Sequence, residues 1–319
     1  MSAHVSVTRR GLLKLGAGVA ATAALAPAEA AAAAEGRFDL TAPSTSLIWK
    51  KPLRDGTVLQ SFAIDNTNRH IYAVQLKNGG GSNAAGDLCV TKLSLSGSIL
   101  GHMYLMGFGH GVQIGVEPSG TSAYLWTETD AAGAADGARG TRLARFRFVN
   151  GRTITPSSSG LTKYSLVAGA SNTTCTIDPS TGRLVMRYHD GSGFRFAAYS
   201  QAEVKSGSKK RVFDVAQPSG LGTFQGYAAY GNFVYLLTGN AYHAGDNPPP
   251  GDTYTHCVDL RTGKLVQRAR SVAGKSLDYR EPEGMGIQIV NGAPRLCLGL
   301  ASGPSGDRLA SIFYKTKLI

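Results

Sequence analysis

Four residues near the C-terminal end concentrate reactive side chains: Tyr279, Arg280, Glu281 and Glu283. Side chains two apart on a strand share a face, so Glu281 and Glu283 are expected to project into one space. Two carboxyl groups in one pocket can divide general acid and base work, although neighbours on one strand are poorly placed to flank a glycosidic bond. A structural alternative ties the pair to Arg280 or another cation. His110, set between glycines in Gly107-Phe-Gly-His-Gly111, offers an imidazole for proton transfer or a hydrogen bond to nearby backbone. Lyase chemistry on a uronic acid needs a histidine or tyrosine to remove the C5 proton and a cation to neutralise the adjacent carboxylate. By residue type, His110, Tyr279 and Arg280 are the catalytic candidates for that reaction, and Glu281 with Glu283 for hydrolysis.

The same stretch of chemistry suits binding without reaction. Amides, an imidazole, carboxylates and tyrosines together can hold a polyhydroxylated ligand, with aromatic faces against sugar C–H surfaces. The candidate ligand-binding residues are Gln60, His110, Glu128, Asn172, Gln225, Tyr242 and Glu283, with His189 and His243 in neighbouring loops. Gln60 and Gln225 have an alternative duty as buried amides bracing the fold. The histidines lack metal-ligand spacing, so no metal or other cofactor is assigned. No nucleophile elbow, P-loop or dinucleotide fingerprint is present in the sequence.

What positions these residues is a short phrase that recurs five times. The copies are Gln60-Ser-Phe-Ala-Ile-Asp65, Val112-Gln-Ile-Gly-Val-Glu117, Thr173-Thr-Cys-Thr-Ile-Asp178, Gln225-Gly-Tyr-Ala-Ala-Tyr230 and Glu283-Gly-Met-Gly-Ile-Gln288. A β-patterned unit of about 50–60 residues corresponds to one propeller blade. Period-two runs such as Leu143-Ala-Arg-Phe-Arg-Phe-Val149, separated by turns such as Asp178-Pro-Ser-Thr-Gly182, read as strands and hairpins. The predicted fold is all-β: a five-bladed β-propeller with four-stranded antiparallel blades. The fifth unit lacks a fourth strand, and Leu47-Ile-Trp-Lys-Lys-Pro-Leu53 precedes the first unit unassigned, so this N-terminal strand is expected to close the last blade. An open β-sandwich accounts less well for five matched units. In such blades, the loop entering the innermost strand and the loop between strands two and three emerge on one face. The longer, chemically richer loops lie there, which places the site at the mouth of the axis.

At these stretches the sequence resembles the teichoic-acid-biosynthesis protein C-like propeller family, which also occurs in phage receptor-binding proteins. The likeness is carried by Leu59-Gln-Ser-Phe-Ala63, Gly107-Phe-Gly-His-Gly-Val-Gln-Ile-Gly115, Tyr124-Leu-Trp-Thr-Glu128, Thr223-Phe-Gln-Gly-Tyr227 and Tyr279-Arg-Glu-Pro-Glu-Gly-Met285. The resemblance implies a five-bladed propeller and contact with a cell-wall glycopolymer. The platform and trimerisation segments of the phage proteins are not recognised in this sequence, so their receptor and assembly do not transfer, and a monomer is expected.

Residues 1–34 read as an export signal and residues 35–319 as a single propeller domain. Thr8-Arg9-Arg10-Gly-Leu12-Leu13-Lys14 is a twin-arginine motif, followed by an Ala/Leu/Gly stretch and small residues around Ala28-Glu29-Ala30 suited to cleavage. The alanine-rich run is too short for a good membrane span. The expected product is secreted or cell-wall associated, exported by the twin-arginine pathway and free of the membrane after cleavage. The whole chain carries a net charge of +12. A basic exported protein is placed to meet an anionic polysaccharide or cell-wall glycopolymer, and no nucleic-acid partner is expected. The run Lys209-Lys210-Arg211 reads as a solvated surface. Cys89, Cys175, Cys257 and Cys297 all stand in strand-like text and are expected to be buried free thiols, as folding in a reducing cytosol favours, with disulfides as the alternative.

Two functions follow as expectations. The first is an exported glycan-binding propeller that recognises an anionic wall or extracellular polysaccharide, teichoic-acid-like or uronic-acid, at the axial mouth. The alternative is a carbohydrate-active polysaccharide lyase, or a glycoside hydrolase, using the same pocket. A docking ring for proteins is a third class, which a polar, enclosed mouth disfavours.

Overall fold

Alternating apolar and polar residues become short strands wound around a common axis in the computed structural model, which describes residues 36–79, 85–132, 138–243 and 246–319. The expected export signal, residues 1–34, lies outside the described residues. The first strand, β1 (Thr45–Pro52), precedes blade one, which is β2 (Leu59–Asp65), β3 (His70–Leu76), β4 (Leu88–Ser94) and β5 (Ile99–Leu105). Blade two begins with β6 (Gly115–Ser119), β7 (Ser122–Ala132) and β8 (Arg139–Arg147). The chain then touches blade one as β9 (Thr153–Ile154), parallel to β5, before β10 (Leu161–Tyr164) completes blade two.

Blade three is β11 (Ser171–Ile177), β12 (Arg183–His189), β13 (Phe194–Ser200) and, after the short helix α1 (Gln201–Lys205), β14 (Arg211–Ala216). Ser200 caps that helix by accepting from the Glu203 N–H. Blade four is β15 (Phe224–Tyr230), β16 (Phe233–Thr238), β17 (Tyr254–Asp259) and β18 (Leu265–Arg270). Blade five is β19 (Glu281–Val290), β20 (Ala293–Ser302) and β21 (Leu309–Lys315), with β1 added antiparallel to β21 as its outermost strand. The N-terminal strand thus closes the last blade. The helix α1 and the two-residue β9 are additions that the hydrophobic pattern did not announce.

The core is a ring of five apolar clusters, one in each gap between neighbouring blades. Val74, Val90, Leu125 and Phe146 fill the gap between blades one and two, and Trp126, Leu143, Met186 and Tyr199 that between two and three. Val185, Phe196, Tyr227 and Leu236 join blades three and four, while Tyr235, Leu237, Met285 and Leu298 join four and five. Ile48, Phe62, Ile71 and Cys297 seal the last gap, between five and one. Each fully buried Leu, Val or Phe contributes about 1.5–3 kcal/mol relative to exposure, so ring closure rests on these gaps. Phe38 and Leu40 extend the cluster between blades four and five, and the Phe38 N–H donates to Tyr235 Oη at 3.0 Å.

At the axis the inner strands come close enough to exclude a Cβ. A methyl on Gly226 would lie 2.6 Å from Gly284 Cα, and one on Gly284 would lie 2.6 Å from Ser61 Cα. Both glycines also have positive φ, at 141° and 73°. Gln113, fully buried, crosses this centre. Its Nε2 donates to the Met285 carbonyl at 3.0 Å and its Oε1 accepts from the Tyr227 N–H at 3.2 Å, tying blade two to blades five and four. The four cysteines are buried and free, and burial pushes the thiols of Cys89, Cys257 and Cys297 up to about 12. No helix of the described residues is long and apolar enough to cross a membrane.

Candidate functional site

Four of the five inner strands carry a register irregularity at the same place, just inside the entrance. The pairing slips between Leu59 and Ser61, between Ser171 and Thr174, between Phe224 and Gly226, and between Pro282 and Met285. An extra residue in one strand bends it and re-aims the local side chain. The residues so displaced are Gln60, Asn172 and Thr173, Gln225, and Glu283 and Gly284. In four of its five copies, the variable first position of the recurring phrase therefore sits in a bulge.

The bulges at Gln60, Gln225 and Glu283 border an open cavity of about 440 Å³ at the long-loop end of the axis, while that at Asn172 and Thr173 borders a neighbouring one. Gln60, His110, Gln225, Tyr279, Glu281 and Glu283 line it together, so six of the residues singled out from sequence converge. Gln60 and Glu283 are nearly buried, at 8% and 5% exposure, and the others are half-buried. Tyr279, Glu281 and Glu283 follow the period of two along one face. The Tyr279 hydroxyl donates to Glu281 Oε2 at 2.7 Å, and Gln225 Nε2 donates to the Gly239 carbonyl at 2.9 Å. Tyr279 and Arg280 both adopt left-handed backbone, with φ of 64° and 38°, immediately before β19. Consecutive non-glycine residues in that region are uncommon and occur where surrounding structure fixes them.

The same period of two sends Arg280 the other way. It is fully buried, and its guanidinium donates from Nε to the Ala273 carbonyl (2.8 Å), from Nη1 to Thr253 Oγ1 (2.8 Å) and from Nη2 to the Ser271 carbonyl (2.9 Å). Arg280 thus anchors the loop before β19 and does not line the mouth. Tyr242 lies with it, 5.3 Å from ring centroid to guanidinium, also off the cavity wall. The cation at the mouth is Arg308, which no sequence motif marks. Its guanidinium sits 3.4 Å from the Tyr279 ring centroid, and its Nη1 donates to the Gly303 carbonyl. Asp307-Arg308-Leu309 lies at the end of the strand-two-to-three loop of blade five, one of the loops expected from topology to face the mouth.

Glu128 is buried beneath the entrance of blade two. Its carboxylate accepts from the backbone N–H groups of His110 (3.1 Å), Gly111 (2.7 Å) and Gly140. A Cβ on Gly109 would fall 2.3 Å from the Glu128 carboxyl carbon, so the glycine preceding His110 is what lets this loop close over the acid. Glu128 and Asn172 line a second open cavity, of about 330 Å³, together with Arg139, Thr173, Arg187, Phe194 and Phe224. It adjoins the mouth, since Phe224 precedes Gln225 and Val112 follows His110 by two residues. His189 Nδ1 accepts from the Gly191 N–H at 3.1 Å, and the exposed His243 lies 3.4 Å from Asp246.

Burial, reinforced by the neighbouring charge of Glu281, raises the Glu283 pKa well above the ordinary carboxylate range. Tyr279 is pushed up to about 12 by burial and by its bond to Glu281. Glu128 is also raised, by burial, against the pull of its three backbone N–H donors. A protonated Glu283 can donate a hydrogen bond or a proton, whereas half-buried Glu281 accepts from Tyr279. No group of three or more His, Cys, Asp or Glu residues among the described residues is arranged to hold a metal ion.

Comparison with known proteins follows the same architecture. A Bacillus subtilis (strain 168) protein bearing the name major teichoic acid biosynthesis protein C is 26% identical over 290 residues, covering 86% of this chain. The alignment spans 63% of that relative's length. The tail fiber of Staphylococcus aureus phage P68 superposes with a TM-score of 0.69 at 21% identity, over 86% of this chain and 52% of that one. Residues 58–314, from the strand β2 that opens blade one to the strand β21 of blade five, match one family throughout; the platform expected as a separate segment is in that family the propeller itself, and the chain belongs to the phage 5-bladed beta propeller receptor binding platform domains.

Proposed function

We propose that the protein is an exported glycan-binding propeller that recognises an anionic cell-wall or extracellular polysaccharide at the axial mouth. The observation that carries this reading is the convergence of Gln60, His110, Gln225, Tyr279, Glu281, Glu283 and Arg308 on one open, polar cavity. Sugars are held by several polar groups at fixed angles and by an aromatic face, and this wall supplies both. The receptor-binding description of the family, and the teichoic acid in the name of the Bacillus subtilis relative, support a surface glycopolymer as the ligand class. The net charge of +12 supports an anionic one. The twin-arginine segment supports a secreted or wall-associated location. Retention of the purified protein on immobilised teichoic acids and polyuronates tests the reading, and passage through all of them unretained would refute it.

A second reading rests on Glu283 and Glu281. A buried carboxyl whose pKa is raised by burial, beside a second carboxyl group to which a tyrosine donates, is the arrangement of a proton donor and a base. With Arg308 in the place expected of Arg280, the same groups would serve a lyase acting on a uronic acid, Tyr279 or His110 removing the C5 proton. Incubation with polyuronates would then raise ultraviolet absorbance from the new C=C bond, and a flat trace across the panel would leave binding alone.

A further inference from the structure

Arg187 stands out among the charged groups of the described residues. It is 6% exposed, no ion-pair partner is found for it among the described residues, and yet it lines the open cavity beside the mouth. Its guanidinium is clamped between two aromatic rings, 3.5 Å from the Phe194 centroid and 3.7 Å from that of Phe224. Nε donates to Gln217 Oε1 at 2.7 Å, which fixes the orientation of the plane. The two terminal nitrogens have no hydrogen-bond partner among the described residues. Stacking on two ring faces stabilises a cation and holds it rigid, but it leaves the fork of N–H donors unanswered. A buried, unpaired charge is costly, and burial lowers the Arg187 pKa to about 9.

Arg139 lines the same cavity, half-buried, and likewise has no ion-pair or hydrogen-bond partner among the described residues. Among those residues the only carboxyl on this wall is Glu128, whose oxygens are taken by three backbone N–H groups and whose pKa is raised by burial. Two cations therefore face one opening whose single carboxyl among the described residues attracts Arg139 through space but gives its oxygens to backbone N–H groups. Asn172, in left-handed backbone with φ of 50°, and Thr223 add polar groups to the rim.

We infer that Arg187 and Arg139 form an oxyanion subsite next to the axial mouth, taking a carboxylate or phosphodiester group of the glycan while its sugar occupies the mouth. The inference rests on the reading of the mouth as a glycan site and assigns its charge selectivity to named residues. The planar fork of Arg187 donates to two oxygens of one group, and the rings of Phe194 and Phe224 exclude water from its faces. Uronic acid and sugar phosphate polymers share this chemistry, and the two differ in the assay.

The test titrates the full chain with inorganic phosphate and with glucuronate, then measures affinity for poly(glycerol phosphate) and for a polyuronate. Arg187→Gln and Arg139→Gln are each expected to weaken the retained polymer about tenfold or more, as loss of a charge-assisted fork does. The double variant Lys209→Gln/Lys210→Gln, which removes exposed charge elsewhere, is expected to change affinity less than about twofold. If Arg187→Gln does not fold, Arg139→Gln decides alone, because no hydrogen bond or ion pair among the described residues uses its guanidinium. Unchanged polymer affinity in a folded Arg139→Gln or Arg187→Gln protein overturns the subsite while leaving the glycan reading in place. Saturable binding of phosphate or glucuronate, lost in both variants, without retention of either polymer upholds the subsite and refutes the glycan reading. Absence of binding to all four probes overturns both.

Discussion

Arg308 sits over the ring of Tyr279, with 3.4 Å between the guanidinium carbon and the ring centroid, and the Tyr279 hydroxyl reaches Glu281 at 2.7 Å. One aromatic side chain thus links the arginine of the mouth cavity wall to a carboxyl group on the same wall. The ring is held on one face by the cation, so its remaining surface is fixed relative to the cavity. Rigid placement of an aromatic and its polar neighbours lowers the entropy lost when a sugar binds.

Removing that cation should weaken glycan binding without unfolding the ring of blades. Arg308→Ala is expected to reduce affinity about five- to tenfold, the scale of one lost cation–aromatic and hydrogen-bonding group. Isothermal titration against the retained glycan checks this, and a Tm within a few degrees of the parent confirms that folding is intact. Undiminished affinity would remove Arg308 from the site.

Arg280 should behave in the opposite way. Its three donors satisfy the carbonyls of Ala273 and Ser271 and the hydroxyl of Thr253, all packed around the segment before β19. Arg280→Met leaves those acceptors without partners and is expected to cost about 2–5 kcal/mol. Denaturant unfolding measures the cost, while the folded fraction retains glycan affinity. A selective loss of binding at unchanged stability would return Arg280 to the site.

The pH dependence of stability carries the signature of Glu283. Its raised pKa means that the folded state holds the proton more tightly than the unfolded state does. Stability from this group is fully present below the ordinary carboxylate pKa and is lost as pH rises through the raised folded value. Glu283→Gln removes the titration, so it should raise Tm at pH 8 more than at pH 4 and flatten the decline between them. Parallel Tm profiles for parent and variant would contradict the assignment.

The glycines at the axis are expected to tolerate no side chain. In Gly226→Ala the new methyl meets Gly284 Cα at 2.6 Å, against backbone that cannot swing aside. The clash and the positive φ together should destabilise by about 2–4 kcal/mol. Gly231→Ala, at a milder positive φ of 61° with open space around the site, sets a lower bound on the conformational part. Equal losses in the two variants would mean that the close approach of blades four and five contributes nothing.

The blades were legible because a strand advertises itself locally. Phe62, Ile114, Cys175, Tyr227 and Met285 are the recurring apolar position of the phrase, and all five are fully buried in the ring. The closure by β1 was also legible, since a count of strands left the fifth blade one short. The bulges were visible only as variability at Gln60, Thr173, Gln225 and Glu283, because register depends on the partner strand. Arg280 was misjudged for a reason the sequence did contain: alternation assigns it the face opposite Tyr279, Glu281 and Glu283. Arg308 and Arg187 were missed on different grounds. Arg308 sits at a loop end with no motif, and its role follows from stacking on Tyr279, far back along the chain. Arg187, between Met186 and Tyr188, is a lone charge inside strand text, a signal that marks burial without naming its partners.

Binding of an anionic glycan at the mouth around Tyr279, Glu281 and Glu283 is open to a simple test. The most direct measurement compares the parent chain with Tyr279→Phe/Glu281→Gln, a pair of near-isosteric changes, by affinity for immobilised teichoic acids and polyuronates at one salt concentration. The parent is expected to be retained on at least one polymer, and the double variant, with unchanged Tm, to bind it about tenfold or more weakly. Equal retention of the two proteins, or retention of neither, would contradict that expectation.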